Sequence, residues 1–123
     1  MRKYLIWSLI AITGLISISH AKASSQTILC PLYYVNSLKK KLASNTTDKF
    51  KHCALSCQLA LRCSAVDTMS LGILKEVWDL VSPGNAEWKD IEADARGIRF
   101  ATTKQAVTDK ECNNRCNNIY WKK

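Results

Sequence analysis

Residues that break or pleat a backbone are scarce in this chain. Two prolines and four glycines among 123 residues, with no runs in which valine or threonine alternates with polar residues, exclude a sheet built on tight hairpins and leave helices joined by short connections. After residue 18 no apolar run is long enough to cross a bilayer, so no further hydrophobic span is expected. Repeats, low-complexity tracts and shifts of composition are also missing, which points to one domain. Ser56 lacks the glycine-flanked sharp turn of a serine nucleophile. Histidine is limited to His20 and His52.

The N-terminus is what the chain does have in abundance. Arg2 and Lys3 precede an uncharged apolar run from Tyr4 to Ile18, and Ala21-Lys22-Ala23 supplies a small-x-small cleavage pattern. These features predict a signal peptide over residues 1–23, with residues 24–123 as a single helical domain, periplasmic or secreted. Thr27-Ile28-Leu29 before Cys30 does not make a lipoprotein processing site. The net charge of +8 falls to +5, 15 basic against 10 acidic residues, once Arg2, Lys3 and Lys22 are removed. That modest excess suits anionic lipid or cell-wall polymer as a partner, with no nucleic acid expected. The Lys39-Lys40-Lys41 run reads as a solvated helix end.

All six cysteines, at 30, 53, 57, 63, 112 and 116, follow the predicted cleavage site. A domain of this size has a small core, and an even cysteine count in an exported chain predicts disulfide staples. Cys53/Cys57 and Cys112/Cys116 are both C-x3-C pairs, each lining one face of a helix. Two such helices laid antiparallel favour Cys53–Cys116 and Cys57–Cys112, leaving Cys30–Cys63, although six cysteines permit about fifteen connectivities. A zinc site joining His52 to these thiolates would need reduced cysteines, which export disfavours.

Apolar periodicity predicts an all-α fold of four to five helices. The first opens at Cys30-Pro31 with the stripe Leu32, Val35, Leu38 and Leu42. The second runs from Asp48 to Arg62 with Phe50, Ala54, Cys57 and Leu61 inward. The third, Val66 to Val81, is expected to bury Ile73, Leu74, Val77 and Leu80 and to stop at Ser82-Pro83-Gly84-Asn85. The fourth, Glu87 to Ala101, carries Ile91, Ala95 and Ile98 on one side and Asp90, Asp94 and Gly97 on another. Thr108-x-x-Glu111 forms a capping box for a short last helix.

The charges of the middle helices also keep helical period. Asp48, His52 and Ser56 are four apart, Lys75 stands four before Asp79, and Asp90 and Asp94 repeat the spacing. If these faces meet, they make a pocket with several carboxylates, Lys75 and His52, in which the acids need a proton, a lysine or a divalent cation as counter-charge. His52 would then serve as general base, as acid or as a metal ligand. The competing reading is a solvated surface: Lys75 with Asp79 as an ordinary pair, Asp90 and Asp94 wet, His52 half-exposed beside a disulfide.

In order, DKFKHCALSCQLAL, LGILKEVWD and PGNAEWKDIEADARGI resemble the YfiM-like and VanZ-like families of bacterial envelope proteins. The matching positions are Asp48, Lys49 and His52; Gly72, Lys75, Glu76 and Asp79; and Asp90, Ala93, Asp94 and Gly97, covering residues 48–101. Asp94 stands where those families usually have asparagine, and Glu87 where a small hydroxyl residue often precedes the last motif. The resemblance implies membership of the Lipocone superfamily, helical domains whose polar residues converge at one end and many of which cleave or exchange head groups on phospholipids or polyprenyl-linked lipids. It therefore implies a lipid or lipid-linked substrate, membrane-surface contact, and a catalytic set of Asp48, His52, Lys75, Glu76, Asp79, Asp90 and Asp94. No organic cofactor is implied; a divalent cation, if used, would fall to Glu76, Asp79 and Asp90. The alternative is a non-enzymatic stapled helical protein that binds lipid, wall polymer or an envelope partner.

Overall fold

A computed structural model describes residues 28–121; the predicted signal peptide lies outside them. The described residues form five helices and no strands: α1 Leu29–Lys41, α2 Asp48–Ala60, α3 Ala65–Val81, α4 Trp88–Thr102 and α5 Asp109–Tyr120. None is long and apolar enough to cross a membrane. Three helices begin at hydroxyl caps, where a side-chain oxygen accepts one of the N–H groups that a first turn leaves unpaired. Thr47 accepts from Phe50 N, Ser64 from Asp67 N, and Thr108 from Glu111 N. Glu111 reaches back past its cap to accept from Val107 N at 2.7 Å. Thr47 also donates to the Tyr120 carbonyl at 3.2 Å, tying the start of α2 to the end of α5.

Helix α2 is the hub. It packs most extensively on α4 and next on α5. Against α5 it is held by Cys53–Cys116 and Cys57–Cys112, while Cys30–Cys63 joins the start of α1 to the turn after α2. This is the connectivity that the spacing favoured, and three disulfides suit an oxidising compartment. The bidentate pair of Arg62 with Asp109, at 2.7 and 2.8 Å, adds a polar clasp between the same two helices. The core is small and made largely of sulfur and methyl groups: Phe50, Cys53, Ala54, Ala93 and Cys116 in one cluster, Cys57, Ala106 and Cys112 in the other.

The expected burial on α3 is overturned. Ile73, Leu74, Val77 and Leu80 are exposed, and the buried side chains of α3 are Asp67, Thr68 and Glu76. On α4, Asp90, Ala93, Asp94, Gly97 and Ile98 face inward, while Ala95 is exposed. Leu32 on α1 is exposed as well. The reason is common to the two middle helices. The groups they meet are polar, namely the His52 and Ser56 side of α2 and the N–H of Glu87, so polar side chains satisfy the contact and the apolar stripe of α3 turns away.

Close approach of α2 and α4 depends on Gly97, where a Cβ would run into the carbonyl oxygen of Cys53 and lie 3.0 Å from the amide nitrogen of Cys57. Both obstacles are backbone atoms in mid-helix and cannot swing aside. Gly97→Ala is therefore expected to force the helices apart at a cost of about 3 kcal/mol, read as a lower midpoint in urea unfolding with all three disulfides intact.

Candidate functional site

Helices α2 and α4 deliver their charges to one region. His52 and Ser56, one turn apart on α2, face Asp94 on α4: His52 Nδ1 lies 3.1 Å from Asp94 Oδ1, and Ser56 Oγ donates to the same oxygen at 2.6 Å. All three side chains are buried. Nε2, the other ring nitrogen, looks toward Asp90 Oδ2 at 3.7 Å and Asp48 Oδ2 at 4.0 Å. Asp94 thus orients the ring. Because Ser56 spends its proton on that carboxylate instead of on the imidazole, the trio is not a serine-nucleophile relay.

Burial opposes the charge on His52, but the hydrogen bond to Asp94 and the charges of Asp94 and Asp90 outweigh both that and Lys75, raising its pKa above the ordinary 6.5. The imidazolium therefore persists to higher pH than in an ordinary histidine. Lys49, absent from the predicted set although it stands in the quoted motif, occupies the other side of Asp90. It binds Asp90 Oδ1 and, at 2.5 Å, Glu87 Oε2. Burial opposes its charge too, and the hydrogen bonds to Asp90 and Glu87 prevail, so its pKa is raised.

Glu76 and Asp79 do not join the histidine. Glu76 is buried and accepts the backbone N–H of Glu87 at 2.8 Å, fastening α3 to the start of α4. Asp79 receives Lys75 at 2.7 Å, and Glu76 lies 3.4 Å from the same ammonium. Burial, the leading influence on Lys75, works against its charge, but these two acids more than compensate and its pKa is raised. The solvated-surface reading thus holds for half-exposed Lys75, only in part for its partner Asp79, which is 17 % exposed, and fails for His52, Asp90 and Asp94, which are buried.

A cation held by Glu76, Asp79 and Asp90 is not supported by their placement. Among the described residues the one set of three ligand-type atoms within 4.8 Å of each other is Asp48, His52 and Asp90. A divalent ion there would have to displace Lys49 from Asp90 and meet a neutral imidazole, whereas the site favours the imidazolium. The donor set therefore fits a metal poorly.

Beside the His52–Asp94 pair a cavity of about 500 Å³ opens between α1, α2 and α3. Its apolar lining comes from Val35, Leu42, Leu55, Leu59 and Leu71, its polar lining includes His52, Ser56, Thr68 and Asp94, and Lys39, Lys51, Lys75 and Asp48 add charge to it. The sequence reading missed the apolar lining and two of the three lysines. Their signal was present: Lys51, Leu55 and Leu59 recur every four residues, as do Thr68, Gly72 and, one step offset, Leu71 with Lys75. Gly72 lets α3 close over the polar lining, since a Cβ there would stand 2.5 Å from Asp94 Oδ2. Thr68 Oγ1 and Asp94 Oδ2 are buried without a hydrogen-bond partner among the described residues.

No family model, curated protein or solved structure matches the chain.

Two outcomes follow from these charges. Because the folded protein holds the His52 proton more tightly than the unfolded chain, that proton stabilises the fold fully below the unfolded pKa of about 6.5 and the contribution is lost as pH rises through the higher folded value. The stability gap between wild type and His52→Gln, measured by urea unfolding, should be widest at about pH 5–6 and shrink above it. Lys49→Met strips Asp90 of its ammonium partner and should cost about 3 kcal/mol; adding Asp90→Asn to that variant should recover part of the loss.

Proposed function

We propose that the chain is an exported, disulfide-stapled relative of the YfiM-like and VanZ-like proteins that acts at the phosphoester or pyrophosphate of a phospholipid or polyprenyl-linked lipid. The observation that carries the reading is the mixed lining of the cavity: leucines and a valine share it with a histidine held by a buried carboxylate and with three lysines. Such a lining suits an amphiphile whose hydrocarbon lies on the apolar residues and whose phosphate meets Lys39, Lys51 and Lys75. Secretion or residence in a periplasm agrees with the disulfides.

In the hydrolytic form of the reaction, a water oxygen bonds to phosphorus and the bond to the leaving oxygen breaks. His52 is poised as the acid, since Asp94 fixes its Nδ1 side and its raised pKa supplies the proton that the leaving oxygen takes from Nε2. Asp48, exposed at the cavity, is the carboxylate that takes a proton from the attacking water. Lys75 balances phosphate charge, with Glu76 and Asp79 holding its ammonium in place. Asp90, paired with Lys49, acts through His52 and does not line the cavity. In the transfer form an acceptor hydroxyl replaces the water.

A second reading, a non-catalytic holder of the same amphiphile or of a wall or envelope partner, is favoured by one observation: the Ser56 hydroxyl, one helical turn from the histidine, is committed to Asp94. Incubating the exported protein with mixed phospholipids and lipid II and following released head groups by mass spectrometry separates the two. Head-group release that falls about a hundredfold or more in His52→Ala, and far less in Asp79→Ala, supports the enzyme. Binding without release by the wild type supports the holder.

A further inference from the structure

Helix α3 is amphipathic in the inverted sense. Ile73, Leu74, Val77, Trp78, Leu80 and Val81 are exposed, from 44 % at Ile73 to 77 % at Val81, and their helical spacing gathers them on the side opposite Thr68 and Glu76, which are buried against the rest of the protein, while the third buried side chain, Asp67, stands in the first turn in register with Leu74 and Trp78. A contiguous apolar surface of this kind marks a place of attachment. We propose that it is a membrane-docking face: α3 lies in the head-group boundary of an anionic bilayer with this stripe toward the acyl chains, and so holds the mouth of the cavity against the lipid.

Continuity with the cavity is the first support. Leu71 lines the cavity wall, and Leu74 and Trp78 follow it at three and seven residues along the same helix, so an apolar track leads from the outer stripe to the interior. Charge is the second. Lys75 borders both the stripe and the cavity, Lys39 and Lys51 stand on the cavity's other sides, and all three meet an anionic head-group layer favourably. Trp78 and the exposed Trp88 add rings whose apolar bodies and N–H tips suit the head-group level.

The inference rests on the proposed lipid chemistry for the identity of what enters the cavity, but attachment itself needs no catalysis, and the test keeps the two apart. Exported protein is sedimented with vesicles of phosphatidylcholine containing phosphatidylglycerol. Val77→Glu and Leu80→Glu, both on the exposed side and checked by circular dichroism for an unchanged fold, should weaken binding about tenfold or more. In a second exported protein, with Trp88 and Trp121 replaced by Phe so that Trp78 is the one tryptophan after residue 23, emission should shift to the blue on adding the same vesicles. His52→Ala should bind as the wild type does, and a wild type that binds but releases no head group supports docking while overturning the enzymatic reading. Vesicle binding unchanged by Val77→Glu and Leu80→Glu, or a Trp78 emission indifferent to vesicles, overturns docking. So does a wild-type dimer in sedimentation velocity that either glutamate converts to monomer, which gives the face to a second copy.

Discussion

The near-contact of α2 and α4 is the constraint from which the rest of the structure follows. Gly97 presents no side chain to the Cys53 carbonyl, so the two backbones come close enough for residues on facing turns to share hydrogen bonds. Asp94 and Asp90, one and two turns before that glycine, are thereby pressed against His52 and Ser56. The disulfides to α5 hold the other side of α2, at Cys53 and Cys57, each the immediate neighbour of a polar site residue. A helix pinned by two covalent rungs on one face tolerates a polar, poorly hydrophobic contact on the next. In a domain whose core is mostly cystine and alanine, that division substitutes covalent constraint for buried area.

Burying acids sets a second condition, since an ionised carboxylate removed from water is costly unless it is paired and hydrogen-bonded. Three buried acids of the middle region meet donors: Asp90 has Lys49, Asp94 has His52 and Ser56 on one oxygen, and Glu76 has the N–H of Glu87. These bonds orient the histidine as well as hold the fold, and a change that disturbs one disturbs the other. Placing polar groups on the inward side of α3 leaves its apolar residues facing outward. The exposed stripe and the buried site are two consequences of one choice of rotation about the α3 axis.

Much of this was legible in the residues. The helical class, the cap at Thr108, the turn at Ser82-Pro83-Gly84-Asn85 and the favoured cystine pairing all depend on local spacing or on the geometry of two C-x3-C faces. The period of Asp48, His52 and Ser56 foretold a polar stripe, and that of Asp90 and Asp94 a second one. The rotation of α3 was not legible. Periodicity locates an apolar stripe but carries no sign saying which way it faces, and the usual rule, apolar inward, holds only where the neighbours are apolar. Likewise Glu76 and Asp79 share a spacing with Lys75, yet one is drawn to a backbone N–H across the α3–α4 turn and the other remains with the lysine.

By itself, then, the sequence determined the elements: where helices start and stop, which side chains share a face, and which cysteines can reach each other, because all of these are fixed by the 3.6-residue repeat and by cap and turn chemistry over a few residues. Only the tertiary structure decided that Asp94 rather than Asp79 orients His52, that Lys49 is the counter-charge of Asp90, and that leucines from three helices enclose a cavity beside them. Those outcomes depend on how far apart and at what rotation helices pack, and these are set by contacts between residues distant in sequence, above all the missing Cβ of Gly97 against the backbone of Cys53.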